Sequence, residues 1–247
     1  MSGRLIGVGV GPGDPELMTL KAVRALAAAD VVAHFAKAGR VGTGRTIAAE
    51  HVPPDAEELA LWFPVTTEID KDEPAYREAI CSFYDRAAAA VATRLDAGRV
   101  VAVICEGDPL FYGSFMHLHA RLAARYPTEI VAGVSGMAGS WSAAGLPIAQ
   151  GDDVFTVLPA TLDECELARR LRETDAIVIM KLGRNLPKVR RALVQAGRLK
   201  QAIYVERATM AGAAVVALAD KADDGAPYFA VVLVPGFEQR RCADGSA

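Results

Sequence analysis

Cysteine is sparse in this chain, and what there is lies scattered. Cys81, Cys105, Cys165 and Cys242 form no Cys-x-x-Cys pair, so neither a zinc site nor a disulfide framework is indicated. His34, His51, His117 and His119 include one His-x-His. On a helix, residues two apart do not share a face, so no metal is expected. Long apolar runs are missing as well. "FAVVLV" at 229–234 is strand length, whereas a membrane-spanning helix needs about 20 apolar residues. The N-terminus passes from "MSGR" almost directly into an apolar strand, without a signal-peptide core. The expectation is a cytoplasmic protein with no membrane partner. Positive charge is not in excess either: 27 Lys and Arg stand against 30 Asp and Glu, which argues against nucleic acid as a partner.

What is present is an alternation of strand-like and helical stretches, the signature of an α/β fold. Strands are predicted at 4–10, 30–35 and 99–107. Helices are predicted at 15–28 and 73–98, with another ending near Tyr126. The stretch 40–72 reads as loop with one short helix. Further strands follow at 128–134, 153–160, 176–183, 201–209 and 226–236, and helices at 137–144, 163–173 and 187–196. The first half is expected to hold a mostly parallel sheet. We place a hinge at or just after Gly113, between an N-terminal α/β domain (1–113) and a C-terminal one (114–237). The polar tail 238–247 is expected to fray.

Two apolar runs end in the same tripeptide. "LIGVGVGPGDPELMTL" (5–20) and "VVAVICEGDPLFYGSF" (100–115) each reach Gly-Asp-Pro. Asp accepts from the free amides of a first helical turn, and Pro suits the first helical position, so each tripeptide is predicted to start a helix. The surrounding Gly9, Gly11, Gly13, Gly107 and Gly113 let backbone approach a ligand. In open α/β sheets, ligands lie beyond the carboxyl ends of the strands.

"GVGVGPG" invites comparison with a dinucleotide fingerprint, but the match fails. Pro12 stands where the last glycine belongs, and Asp14 and Glu16 put carboxylates where pyrophosphate would rest. The second strand, "DVVAHFAK", ends without the acid that holds a ribose. Gly-Lys-Ser/Thr is absent too. A phosphate-free, positively charged nucleoside fits better, and S-adenosylmethionine is such a molecule. The common Rossmann methyltransferases also rely on a second-strand acid, so a different fold for that cofactor is indicated.

With these residues in view, the chain resembles the tetrapyrrole (precorrin) methyltransferase family. Its motifs look like "VGVGPGDPELMTLKAVRAL" (8–26), "CEGDPLFYGSF" (105–115), "VAGVSGMAGSWSAAGLPI" (131–148), "IVIMKLGRN" (177–185) and "YVERATM" (204–210) here, in that order. The resemblance implies two α/β domains with an intervening cleft, unlike a Rossmann methyltransferase, and a homodimer. It implies cofactor contacts from Pro12, Glu106, Gly107, Asp108, Tyr112, Ser135, Gly136, Met137, Met180, Ala208 and Thr209. The glutamate before Gly-Asp-Pro, the "FYGS" after it and the Met-Lys strand end look most like members that methylate C20 of precorrin-2 in cobalamin synthesis. Members acting on uroporphyrinogen III usually carry two glycines before the Asp and Thr-Ala in the third motif, where this chain has Ser135-Gly136-Met137-Ala138.

By the same resemblance the substrate is a reduced tetrapyrrole with many carboxylates, which calls for local positive charge. Between Cys165 and Arg207 there are eleven Lys and Arg against four acids. Lys181 and Arg184, just past a strand end, are the best placed for substrate; Arg40 and Arg45 are weaker candidates. Glu106 and Asp108 are candidates for a base that removes the C20 proton, with Asp108 expected to serve as a cap, and no residue is assigned as catalytic. Methylation of cobalt-factor II at C20, or of other precorrins at C2/C7, C11 or C17, remains open. Two other classes stand beside these: a non-catalytic tetrapyrrole carrier and a nicotinamide oxidoreductase. The intact cofactor loops argue against the first and Asp14 against the second.

Overall fold

The computed structural model describes residues 3–64 and 73–236. It forms two compact units, Met1–Ser135 and Gly136–Ala247, each built on a five-stranded sheet.

The first unit contains β1 (Arg4–Gly9), β2 (Val31–Lys37), β3 (Glu57–Phe63), β4 (Val100–Cys105) and β5 (Thr128–Val131). They lie in the order β3-β2-β4-β1-β5, and every pairing is parallel. A parallel sheet is covered on both faces, so its strands read as continuous apolar runs. Alternation along each strand then sorts the side chains. Leu5, Val101, Val103 and Cys105 face α3 (Pro74–Asp96) and α4 (Phe115–Leu122), packing with Phe83, Val91, Phe115 and Leu118. Ile6, Val8, Ala102 and Ile104 face α1 (Leu20–Ala27) and α2 (Thr43–Ile47), packing with Leu26 and Ile47. Gly7 leaves room for the Phe115 ring, since a Cβ there would stand 2.4 Å from it.

The second unit contains α5 (Gly136–Ala144), β6 (Phe155–Pro159), α6 (Glu164–Glu173), β7 (Ala176–Met180), α7 (Leu186–Gln195), β8 (Ile203–Glu206), β9 (Ala214–Ala217) and β10 (Ala230–Val234). Its order is β6-β7-β10-β8-β9. Only β6 and β7 run parallel; the other neighbours are antiparallel. One face packs on α6 and α7 through Ile177, Ile179, Val232, Leu171 and Leu193. The other, with Val178, Val205, Val231 and Leu233, packs on α5 through Met137 and Trp141.

Several details depart from the sequence-based expectation. The units divide between Ser135 and Gly136, later than the hinge placed near Gly113. Residues 114–135 belong with the first unit because Phe115 and Leu118 are fully buried in its core and β5 pairs with β1. The helix expected at 15–28 is a 3-10 turn, Pro15–Leu17, followed by α1, which starts afresh with Thr19 accepting from the Ala22 amide. No helix follows Pro109 directly; α4 begins only at Phe115. Within 40–72, residues 57–63 form β3 rather than loop. Its edge position leaves Trp62 exposed, which hides the strand's buried face in the sequence pattern. β9 is a further edge strand that the sequence did not reveal. Residues 65–72, Cys242 and the tail 238–247 lie outside the described residues.

Among the described residues no helix is long and apolar enough to cross a membrane, and no group of three or more metal-ligating side chains gathers. Cys105 is buried at the end of β4, and burial, followed by the nearby Glu106 charge, pushes its thiol from 9.0 up to about 12. Its proton is therefore held in the fold and released on unfolding, so this group's contribution to stability is full below about pH 9 and declines as pH rises towards 12. In the native protein, an alkylating reagent is expected to label the exposed Cys81 and Cys165 and to spare Cys105. Peptide mass spectrometry checks this, with Cys105 becoming labelled only in denaturant.

Candidate functional site

Three turns meet at the carboxyl ends of β1, β4 and β5, and glycine makes the meeting sterically feasible. A Cβ on Gly9 would stand 2.6 Å from both the Gly107 oxygen and the Gly133 nitrogen. A Cβ on Gly133 would stand 2.1 Å from the Gly107 oxygen and 2.8 Å from the Gly9 Cα. The first two turns are also tied by paired backbone bonds. Gly107 donates to the Gly11 oxygen at 2.7 Å, and Gly11 donates back at 3.4 Å. Gly11 and Gly107 take φ of 84° and 66°, a region that favours glycine.

The two Gly-Asp-Pro aspartates close these turns. Asp14 Oδ1 accepts from the Glu16 amide at 2.9 Å. Asp108 Oδ1 accepts from the Leu110 amide at 2.9 Å, and its Oδ2 reaches the Gly133 amide at 3.1 Å. Asp108 thereby joins the β4 turn to the β5 turn. Amides that could have cradled a phosphate already serve carboxylates, and an added anion would meet like charge. The arrangement suits a neutral or cationic ligand.

The expected site residues of the first unit are all on or beside these turns. Pro12 and Gly107 are buried, Asp108 is half-buried, and Glu106 and Tyr112 are exposed. Tyr112 does not begin a helix. It sits with φ 54° and its ring edge-on to Phe111 at 4.8 Å. Glu106 Oε1 accepts from the Gly44 amide at 2.8 Å. Beside α2 lies a groove of about 670 Å³, lined by His34, Arg40, Arg45, Glu58 and Trp62 among others. Arg45 grips Glu58 with two bonds of 2.7 Å. His34 is buried, and desolvation holds its pKa below the usual imidazole value. Ser135 is the last residue of this unit.

In the second unit, Gly136 opens α5, with open space where a Cβ would be. Met137, Met180 and Ala208 come together as partly buried members of the apolar cluster between α5 and the sheet. Met180 is therefore part of the unit's apolar packing and is not wholly enclosed by it. Lys181 follows with φ 60°, and Arg207, just before Ala208 and Thr209, has φ 50°. With Tyr112 these are the only non-glycine residues at positive φ among those described. Each costs about 1–2 kcal/mol, and such strain gathers at functional positions.

Most of the basic stretch serves the fold instead of a ligand. Arg169 and Arg170 pair with Glu166, Arg191 with Glu164, and Arg190 with Asp224. Arg198 is buried and donates to the carbonyls of Leu171, Thr174 and Asp175. Lys181 and Arg184 are exposed at the end of β7 and in the turn after it. Two residues at the centre of the geometry, Gly133 and Gly44, were not singled out by sequence. The signal at Gly133 was its place just before Ser135 at a strand end. Nothing local marked Gly44, whose partner is 62 residues away.

The chain is similar over nearly its whole length to known proteins. The family model described as tetrapyrrole (corrin/porphyrin) methylases matches residues 4–222. The chain is 64% identical over 238 residues to a precorrin-2 C(20)-methyltransferase of Sinorhizobium sp, covering 96% of this chain and 97% of that protein. It is 29% identical to a cobalt-precorrin-2 C(20)-methyltransferase of Salmonella typhimurium, covering 95% and 97%. Among solved structures, a cobalt precorrin-4 methyltransferase (CbiF) superposes with a TM-score of 0.71 at 23% identity, covering 94% of each chain. A uroporphyrin-III C-methyl transferase of Thermus thermophilus in complex with S-adenosyl homocysteine superposes at 0.65 with 25% identity, covering 96% and 100%.

Gly133→Ala is expected to force the three turns apart and to cost several kcal/mol, on the order of a severe core substitution. Denaturant unfolding reads the loss, and hydrogen exchange at the Gly107 amide should accelerate more than at amides in the second unit. Wild-type stability and unchanged exchange would contradict the close approach.

Proposed function

The chain belongs to the tetrapyrrole (corrin/porphyrin) methylase family, and on that premise we propose that it methylates precorrin-2 at C20, giving precorrin-3A in cobalamin synthesis. The observation that carries this is the 64% identity, over nearly the full length of both chains, to a protein of that activity.

S-adenosylmethionine, when bound, supplies a methyl group on a sulfonium and leaves as S-adenosylhomocysteine. The solved relative in complex with S-adenosyl homocysteine supports that assignment, and so does the phosphate-averse chemistry of the turns. In the first unit we assign contacts to Pro12, Gly107, Asp108, Tyr112 and Ser135; Glu106, expected from the resemblance to contact the cofactor too, is engaged with the Gly44 amide instead. In the second we assign them to Gly136, Met137, Met180, Ala208 and Thr209, with the two methionines and Ala208 as an apolar wall for the adenine. Lys181 and Arg184 are assigned to substrate carboxylates.

The accepting meso carbon of a reduced tetrapyrrole is already electron-rich. The chain's task is then to align donor and acceptor, which is worth about 7–11 kcal/mol in favourable systems. Transfer consumes the sulfonium charge, so a strongly anionic pocket would oppose it. Asp14 and Asp108 are anchored in the turns by the amides they accept from. We further propose that the protein works as a homodimer in the cytoplasm.

Incubation with methyl-labelled S-adenosylmethionine and precorrin-2 should place the label on C20 by NMR. Faster turnover of the cobalt-loaded substrate in a parallel assay would move the assignment to the cobalt-dependent reaction that the Salmonella relative is named for. Lys181→Ala and Arg184→Ala are each expected to raise KM for the tetrapyrrole about tenfold, the effect of losing one charge-assisted hydrogen bond. Steady-state kinetics would show this as a change in KM with S-adenosylhomocysteine affinity held.

A further inference from the structure

The start of α2 has no cap of its own. Gly42 stands at the N-cap without a side-chain hydrogen bond. The Gly44 amide, in the first turn, is instead satisfied by Glu106 from the β4 turn at 2.8 Å. Alternation along β4 puts Glu106 on the α2 side, following Ala102 and Ile104, which pack there with Ile47 and Ala48. Gly44 is buried directly against it, for a Cβ on Gly44 would lie 3.6 Å from the Glu106 carboxyl carbon. A carboxylate on a backbone amide makes one of the stronger hydrogen bonds. A five-residue helix is far too short to persist by itself, so this tether matters to where α2 sits.

That segment carries two arginines. Arg45, on α2, is held by Glu58, and Arg40 is exposed on the loop before it. Both line the groove beside β3. We propose that Glu106 is a positioning residue: by holding the Gly44 amide it fixes the 39–45 segment so that Arg40 meets a carboxylate arm of the tetrapyrrole. This rests on the function proposed above and gives Glu106 a task other than contacting the nucleoside.

Glu106→Ala and Glu106→Gln separate the alternatives. Precorrin-2 affinity is read by tryptophan fluorescence, S-adenosylhomocysteine affinity by calorimetry, and order in 43–47 by hydrogen exchange. Glu106→Ala should weaken precorrin-2 binding about tenfold, speed exchange in 43–47, and leave S-adenosylhomocysteine affinity within about twofold. Glu106→Gln, whose amide oxygen still accepts from Gly44, should restore most of both. Arg40→Ala should match Glu106→Ala in precorrin-2 affinity while exchange stays slow. The proposal is overturned if Glu106→Ala leaves precorrin-2 binding unchanged, if it weakens the nucleoside instead, or if Glu106→Gln is as impaired as Glu106→Ala. Wild-type protein that binds precorrin-2 without methylating it would defeat the functional proposal alone, since these affinities are measured without turnover.

Discussion

Backbone touching backbone at Gly9, Gly107 and Gly133 is the constraint on which the rest of the first unit's site depends. Three parallel strands deliver their turns to one place, and a Cβ on Gly9 or Gly133 would collide with the backbone of the neighbouring turns. Once the turns are in contact, the Gly11–Gly107 bonds and the Asp108 bridge to Gly133 lock them. The exposed side chains, Glu106 and Tyr112, then project from a fixed frame and not from independent loops.

The electrostatic character of this frame follows from the same residues. A glycine-rich turn at a strand end ordinarily favours phosphate, because free amides and a helix dipole point outward. Here the aspartates answer the amides from within, and the first turn leads into a single 3-10 turn before the helix starts again at its own threonine cap. Phosphate loses its site, while a sulfonium-bearing nucleoside meets no opposing charge. In the second unit, the apolar cluster around Met137, Met180 and Ala208 offers a surface with little charge. The strained residues Lys181 and Arg207 adjoin it in sequence.

Much of this was legible beforehand, and the exceptions share a cause. The α/β class, the parallel first sheet and the helices expected at 73–98, 163–173 and 187–196 follow from period and composition; the Gly-Asp-Pro tripeptides were expected to start helices, and only the first does so, as a short 3-10 turn. β3 was hidden because an edge strand has one poorly covered face: Trp62 is apolar yet exposed, so the run 59–63 lacks the alternation that marks a half-buried strand. The break between units was placed too early because Gly113 looks like a hinge, although Phe115 two residues later is anchored in the first core. The basic stretch suggested substrate binding, but Arg198 is a buried cap for carbonyls and several neighbours are paired with acids on the same or adjacent helices.

The sequence by itself determined the α/β class, most of the helices and strands, the glycines of the first two turns, and the family, since these depend on local propensity and on ordered motifs. It also determined that carboxylates crowd the turns. Only the tertiary structure decided which amides those carboxylates serve, which arginines are spent on the fold, and that Glu106 reaches Gly44. The physical reason is distance along the chain: a hydrogen bond spanning 62 residues leaves no periodic trace, because either partner alone would satisfy its local surroundings equally well in water.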